Sequence, residues 1–169
     1  VFVGHYTEFL ISGHAHLFKT IINLRIIPVG MQVITKDELV HNGDIYSQKI
    51  KKGAVFIHPT DTIYGIGCNA CDNEAVDKVR MLKSRDYNKP FSIIAPSKDW
   101  IREHCIIDHG VEEWLGKLPG PYTLILKLKD KGSLSRMVIG EHDTIGIRMP
   151  NHWFSEYLRN SATEKDVYQ

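Results

Sequence analysis

The sequence predicts an α/β domain with a mixed sheet. Two observations predict it. Short apolar runs such as Ala54-Val55-Phe56-Ile57 interleave with longer segments whose apolar residues recur at helical spacing, as Val76, Val79 and Leu82 do. The first of those runs also stops in His58-Pro59-Thr60-Asp61-Thr62-Ile63-Tyr64-Gly65-Ile66-Gly67. A strand that ends in a hydroxyl-rich, glycine-bearing turn is where α/β proteins place ligand sites. The chain has 169 residues, 43% of them apolar and 24% charged. That size and balance suit one globular domain with a real core.

Taken in order, Met31 to Ile34 is expected as a strand, and Thr35 caps a helix that runs to Leu39. Asp44 to Lys51 reads as a helix with Ile45 and Ile50 toward a core, ended by Lys51-Lys52-Gly53. Ala54 to His58 is a strand. Asp72 or Asn73 caps a helix through about Ser84. Phe91 to Ala95 is a short strand between Pro90 and Pro96. Lys98 to His104 and Val111 to Leu118 read as helices. Pro119-Gly120-Pro121 is a rigid turn into the strand Tyr122 to Lys129, with Leu124, Leu126 and Leu128 on one face and Lys127 and Lys129 on the other. Gly132 to Gly140 reads as a loop, Asp143 to Met149 as a strand ended by Pro150, and His152 to Arg159 as a helix. There is no internal repeat and no low-complexity linker.

The first methionine is Met31. Residues 1–30 are expected to be an extension of uncertain origin, vector-derived or upstream of a misassigned start. Residues 31–160 form the domain, and residues 161–169 are a polar tail or truncation point. Gly13-His14-Ala15-His16 has a metal-like spacing, but a lone His-x-His pair in a poorly patterned segment reads as incidental.

A formal net charge of +1 gives no reason to expect nucleic-acid binding from bulk charge. No apolar run of about eighteen residues exists, so no membrane span is expected. Three cysteines are not a disulfide framework, which favours a reducing cytoplasm. Cys68-Asn69-Ala70-Cys71, even with Cys105 and His109, is a weak zinc signal without a second pair. The plainer reading makes the first two cysteines small residues at a strand-to-helix junction.

Candidate site residues fall in three groups. Thr60, Asp61, Thr62 and Tyr64 share one strand end. There a carboxylate between hydroxyls can orient a small polar substrate or simply cap a turn. Lys83, Arg85 and Lys89 can neutralise phosphate, or merely solvate a helix end. No Walker loop and no dinucleotide fingerprint occurs. Arg148 ends the apolar strand Thr144-Ile145-Gly146-Ile147-Arg148 and needs a partner. A substrate carboxylate and a structural Asp or Glu both qualify. The strand alone favours the structural bridge.

Together these segments resemble the YrdC-like family. The similarity runs from about Met31 to about Arg159. It rests on Ile50-Lys51-Lys52-Gly53-Ala54-Val55, then Pro59 to Gly67, then Lys83-Ser84-Arg85 with Lys89-Pro90, then Pro119-Gly120-Pro121-Tyr122-Thr123, then Gly146-Ile147-Arg148-Met149-Pro150. Each piece is weak alone, but five in order are specific. The resemblance implies a twisted, mixed, open sheet with flanking helices and a large open cavity. It implies a threonylcarbamoyl-AMP synthase, a nucleotidyltransferase acting on L-threonine, bicarbonate and ATP, with Mg carried by the phosphates. The product would pass to separate tRNA threonylcarbamoyl transferase machinery. By the same similarity Lys83, Arg85, Lys89 and Thr144 would contact ATP, and Thr62 and Arg148 would contact threonine. Thr60, Asp61 and Tyr64 would line the site. No residue is assigned a catalytic role.

One departure from the family's pattern stands out. Family members continue into a strand bearing Ser-x-Asn, whereas here Ser161-Ala162-Thr163 is followed by Glu164. A lost strand implies impaired activity and an open sheet edge, which a dimer could cover. The rival reading is a non-catalytic YrdC-like domain that binds tRNA or double-stranded RNA through a basic concave face. Carbamoyl-transferring domains of hydrogenase-maturation proteins also look similar, but they sit in longer chains with zinc-finger-like segments.

Overall fold

The computed structural model describes residues 8–12, 32–132, 134–161 and 167–168, the first of these as backbone alone. Two hydrogen-bonded sheets carry the fold. One has the order β2-β1-β3-β4, from β1 (Glu8–Ser12), β2 (Gln32–Thr35), β3 (Val55–His58) and β4 (Gly65–Gly67). Here β1 runs parallel to both β2 and β3, and β4 runs antiparallel to β3. The other has the order β5-β7-β6, from β5 (Ser92–Ile94), β6 (Leu124–Lys127) and β7 (Thr144–Arg148). In it β5 is parallel and β6 antiparallel to β7. The expected mixed sheet is therefore an α/β arrangement of two mixed sheets. Residues 167–168 link them. The Val167 carbonyl accepts from the Ala70 N–H at 2.7 Å, and the Tyr168 carbonyl from the Ile94 N–H at 2.6 Å.

The helices start where short oxygen-bearing side chains satisfy free N–H groups. Thr35 caps α1 (Lys36–His41) in a capping box with Glu38. After α2 (Gly43–Lys51), Asp72 caps α3 (Asn73–Leu82), Ser97 caps α4 (Lys98–His104) and Asp108 caps α5 (His109–Gly116). Ser135 caps α6 (Arg136–Ile139), and α7 (Trp153–Ser161) closes the series. None of the described helices is long and apolar enough to cross a membrane.

One apolar cluster packs α3, α4 and α5 against the β5-β7-β6 sheet, around Val76, Val79, Ile101, Leu115, Ile145 and Ile147. A second joins Ile34, Leu39, Ile50 and Phe56 to Phe154 and Leu158 of α7.

Several local expectations change. Ile45 is 56% exposed, and Tyr46 takes its place in the core. Tyr46 and Ile50 are four residues apart and share a helix face, which Ile45 and Ile50 do not. Leu82 is exposed, because Arg80, four residues after Val76, completes the buried stripe of α3. Within the expected loop from Gly132 to Gly140, α6 forms because Ser135 caps it and Val138 and Ile139 are buried. Gly65–Gly67 is a strand through its pairing with β3, despite two glycines. Within residues 1–30, Glu8–Ser12 supplies β1, between β2 and β3. The His-x-His pair at His14 and His16 lies outside the described residues, as do residues 162–166 of the tail.

Candidate active site

The ends of β3, β5 and β7, the strand β4 and the C-terminal end of α3 enclose a cavity of about 440 Å³. That volume is within the range of small-ligand sites. Thr60, Tyr64, Lys83, Arg85 and Arg148 are all on its wall. Asp61, Thr62, Lys89 and Thr144 are not among the lining residues. Thr144 begins β7 and shares a face with Arg148, four residues on.

Thr60 builds the turn itself. Its Oγ1 accepts from the N–H groups of Thr62 and Ile63, each at 3.2 Å, and donates to the Ile63 carbonyl at 2.6 Å. Asp61 is a brace between turn and sheet. Its Oδ1 accepts from Arg148 Nη2 at 3.2 Å, and its Oδ2 from the Asn151 N–H at 2.9 Å. Thr62 Oγ1 accepts from the same Arg148 nitrogen at 3.1 Å. The structural bridge favoured for Arg148 is thus present, and it uses only one corner of the fork. Arg148 Nε is buried, with no hydrogen-bond partner among the described residues. One nitrogen of the guanidinium is anchored while the side chain still lines the cavity.

The basic group is built differently. Lys83 caps the C-terminus of α3, and Ser84 takes a left-handed φ of 46° that turns the chain back. The Phe91 ring then sits among three cationic groups. Arg80 is 4.5 Å, Arg85 5.1 Å and Lys83 5.4 Å from its centroid. Arg85 Nη2 donates to the Pro90 carbonyl at 2.7 Å. Lys83 opens to the cavity but is crowded by protein, and burial, then Arg85, lowers its pKa. Lys89 is exposed, and its main chain, not its ammonium, is what the loop engages.

Sequence reasoning missed Arg80. Its side chain is 1% exposed. Its Nη1 donates to the Asp86 and Lys89 carbonyls, and its Nη2 to Met137 at 2.5 Å. It ties the loop after α3 to α6. The available signal was an arginine on the apolar stripe of an amphipathic helix.

In the sequence His58 marks only a strand end. It is buried between Phe56 and Phe154, and its Nδ1 faces the Pro59 carbonyl at 3.2 Å. Burial is the main cause that pushes its pKa down to about 4. Of the three free thiols Cys68 and Cys105 are buried and Cys71 is exposed. Burial pushes Cys68 up to about 12 and Cys105 up to about 11, so both stay protonated near neutrality.

A cavity at strand ends, with an anchored arginine fork and a basic loop on its wall, defines an α/β domain suited to small anionic ligands. The chain belongs to the Sua5/YciO/YrdC family, whose model, described as telomere recombination, matches residues 48–164. Threonylcarbamoyl-AMP synthase of Pseudomonas putida is 32% identical over 111 residues, 63% of this chain and 57% of that protein. A Methanocaldococcus jannaschii protein provisionally given the same name is 38% identical over 109 residues, 64% of this chain and 51% of that one. The structure of P. abyssi Sua5 complexed with L-threonine superimposes with a TM-score of 0.63 at 29% identity, covering 73% of this chain and 36% of that one. The chain spans about half the length of the curated relatives it matches.

Proposed function

We propose that this domain forms threonylcarbamoyl-AMP and pyrophosphate from L-threonine, bicarbonate and ATP. One observation carries the reading. A half-anchored arginine and a lysine–arginine pair converge on one cavity, and relatives of the same family bear that activity name.

The Nη1 corner of Arg148 is left to donate to the threonine carboxylate, while Asp61 and Thr62 hold Nη2 still. Lys83 and Arg85, with Lys89 on the same loop, offset the charge of the ATP phosphates, and Thr144 serves the nucleotide further along β7. The threonine amine and bicarbonate give a carbamate and water. A carbamate oxygen then bonds to the α-phosphorus as the bond to pyrophosphate breaks. Such an in-line displacement needs alignment and charge neutralisation more than a strong base. Both Asp61 oxygens are already engaged, so magnesium would come with the ATP phosphates as part of that substrate. The product is a reactive mixed anhydride, which a tRNA threonylcarbamoyl transferase must consume.

The test is pyrophosphate release from ATP and bicarbonate, with and without L-threonine. Threonine-dependent release is the expected result. Folded protein that releases none under either condition would overturn the reading.

A further inference from the structure

His58 lies on the cavity wall, and the chemistry above gives it no role. It is 3% exposed, with the rings of Phe56 and Phe154 centred 5.4 and 5.3 Å from its own. The Pro59 carbonyl can only accept, so Nδ1 carries the ring proton and Nε2 keeps its lone pair. Strand register places His58 beside Gly65 of β4. A Cβ on Gly65 would stand 2.7 Å from Nε2, so only glycine lets the tip of the ring sit against β4 at the cavity wall. Gly65 lines the same cavity.

Lys83, Arg148 and His152 each lower the pKa of His58 through their charge, and burial lowers it more. The imidazole therefore stays neutral at physiological pH, a hydrogen-bond acceptor in a cavity whose charged wall groups are donors. A threonine bound by its carboxylate brings an amino group, which needs an acceptor.

Resting on the threonine reading, we propose that His58 Nε2 accepts a hydrogen bond from the α-amino nitrogen of the bound amino acid. The residue thereby selects an amino acid over the matching hydroxy acid. The same contact serves the ammonium before carboxylation and the carbamate N–H after it. The ring takes up no proton at either stage. His58 is thus a specificity-determining and positioning residue, not the base.

The experiment is calorimetric titration with L-threonine and with 3-hydroxybutyrate, which is threonine without its amino group. The proteins are the unmutated chain, His58→Phe and His58→Gln. Phenylalanine keeps the aromatic packing and removes the acceptor. His58→Phe is expected to weaken threonine binding about tenfold, and to leave 3-hydroxybutyrate within about twofold. His58→Gln, whose amide oxygen can accept, is expected to fall between. An affinity ratio does not depend on the fraction of protein folded. Equal loss for both ligands would make His58 merely structural and overturn the inference. Undiminished threonine binding by His58→Phe would overturn it too, with the threonine reading intact. Failure of the unmutated chain to bind threonine would overturn that reading and this inference together.

Discussion

Arg80 in α3 and Arg148 in β7 are both drawn out of water, and both leave Nε without a hydrogen-bond partner among the described residues. Their surroundings differ. Arg80 is enclosed, stacked on Phe91, and bonded to three main-chain carbonyls from two separate segments. Carbonyls are neutral, so this cation organises a loop and has no ligand-facing edge. Arg148 meets a carboxylate and a hydroxyl with one nitrogen, keeps 21% of its side chain exposed, and lines the cavity. A buried arginine spent on backbone builds the site, whereas one held at a single corner is free to meet a ligand. The basic loop depends on the first, and the strand-end turn on the second.

Arg80→Met leaves three main-chain carbonyls without their charged donor, and the unfolding free energy in urea is expected to fall by about 4 kcal/mol. ATP affinity should fall with it, because the loop that carries Lys83 and Arg85 loses its tie to α6. An unchanged urea midpoint would mean that the loop holds itself.

The next effect comes from pH. The pKa of His58 is about 4 in the fold, against an ordinary 6.5. Between those values the unfolded chain binds a proton that the folded chain refuses. This contribution is therefore intact above pH 6.5 and is lost as pH falls toward 4. The full loss is on the order of 3 kcal/mol. Unfolding measured from pH 7 to 4 should slope less steeply for His58→Phe than for the unmutated chain. Parallel slopes would show that other groups carry the dependence.

Arg148→Lys sharpens the contrast on the other side. Lysine keeps the charge beside Asp61 but has one nitrogen, which cannot brace Asp61 and meet a ligand carboxylate from separate corners, so threonine affinity should fall about 30-fold, roughly 2 kcal/mol. The same change should cost less than about 1 kcal/mol of stability. A large stability loss with unchanged threonine binding would reduce Arg148 to a brace. The smallest effect is expected from Arg85→Ala, an ATP affinity about tenfold weaker with threonine binding unaltered. Equal weakening of both ligands would place Arg85 in a shared wall and blur the division.

Elements with short-range signals were legible. Thr35 and Glu38 stand three residues apart and close the capping box of α1 themselves, and Asp72 caps α3 in the same local way. The apolar run before His58 needed only to be buried to become β3. Gly65–Gly67 has poor strand propensity and is a strand only because β3 lies beside it. The strand β1 takes its place from parallel partners far along the chain. Ile125 is 67% exposed on the sheet face it shares with Gly146 and Ser92, although β6 was read from its leucines and lysines. The candidate site divides in the same way. Lys83, Arg85, Arg148 and the threonine turn could be seen as chemistry along the chain. The work of Arg80 and the tautomer of His58 could not.

By itself the sequence determined the α/β class, the main element starts and the residue types available to the site. These follow from capping, periodicity and turn chemistry that act over a few residues. Only the tertiary structure decided that Arg148 would meet Asp61, 87 positions away, with one corner of its fork. It also decided that the Phe91 ring would gather three cations, and that Gly65 would leave room for the His58 ring. Hydrogen bonds and burial act over a few ångströms, and which groups come that close depends on how separate strands and helices pack.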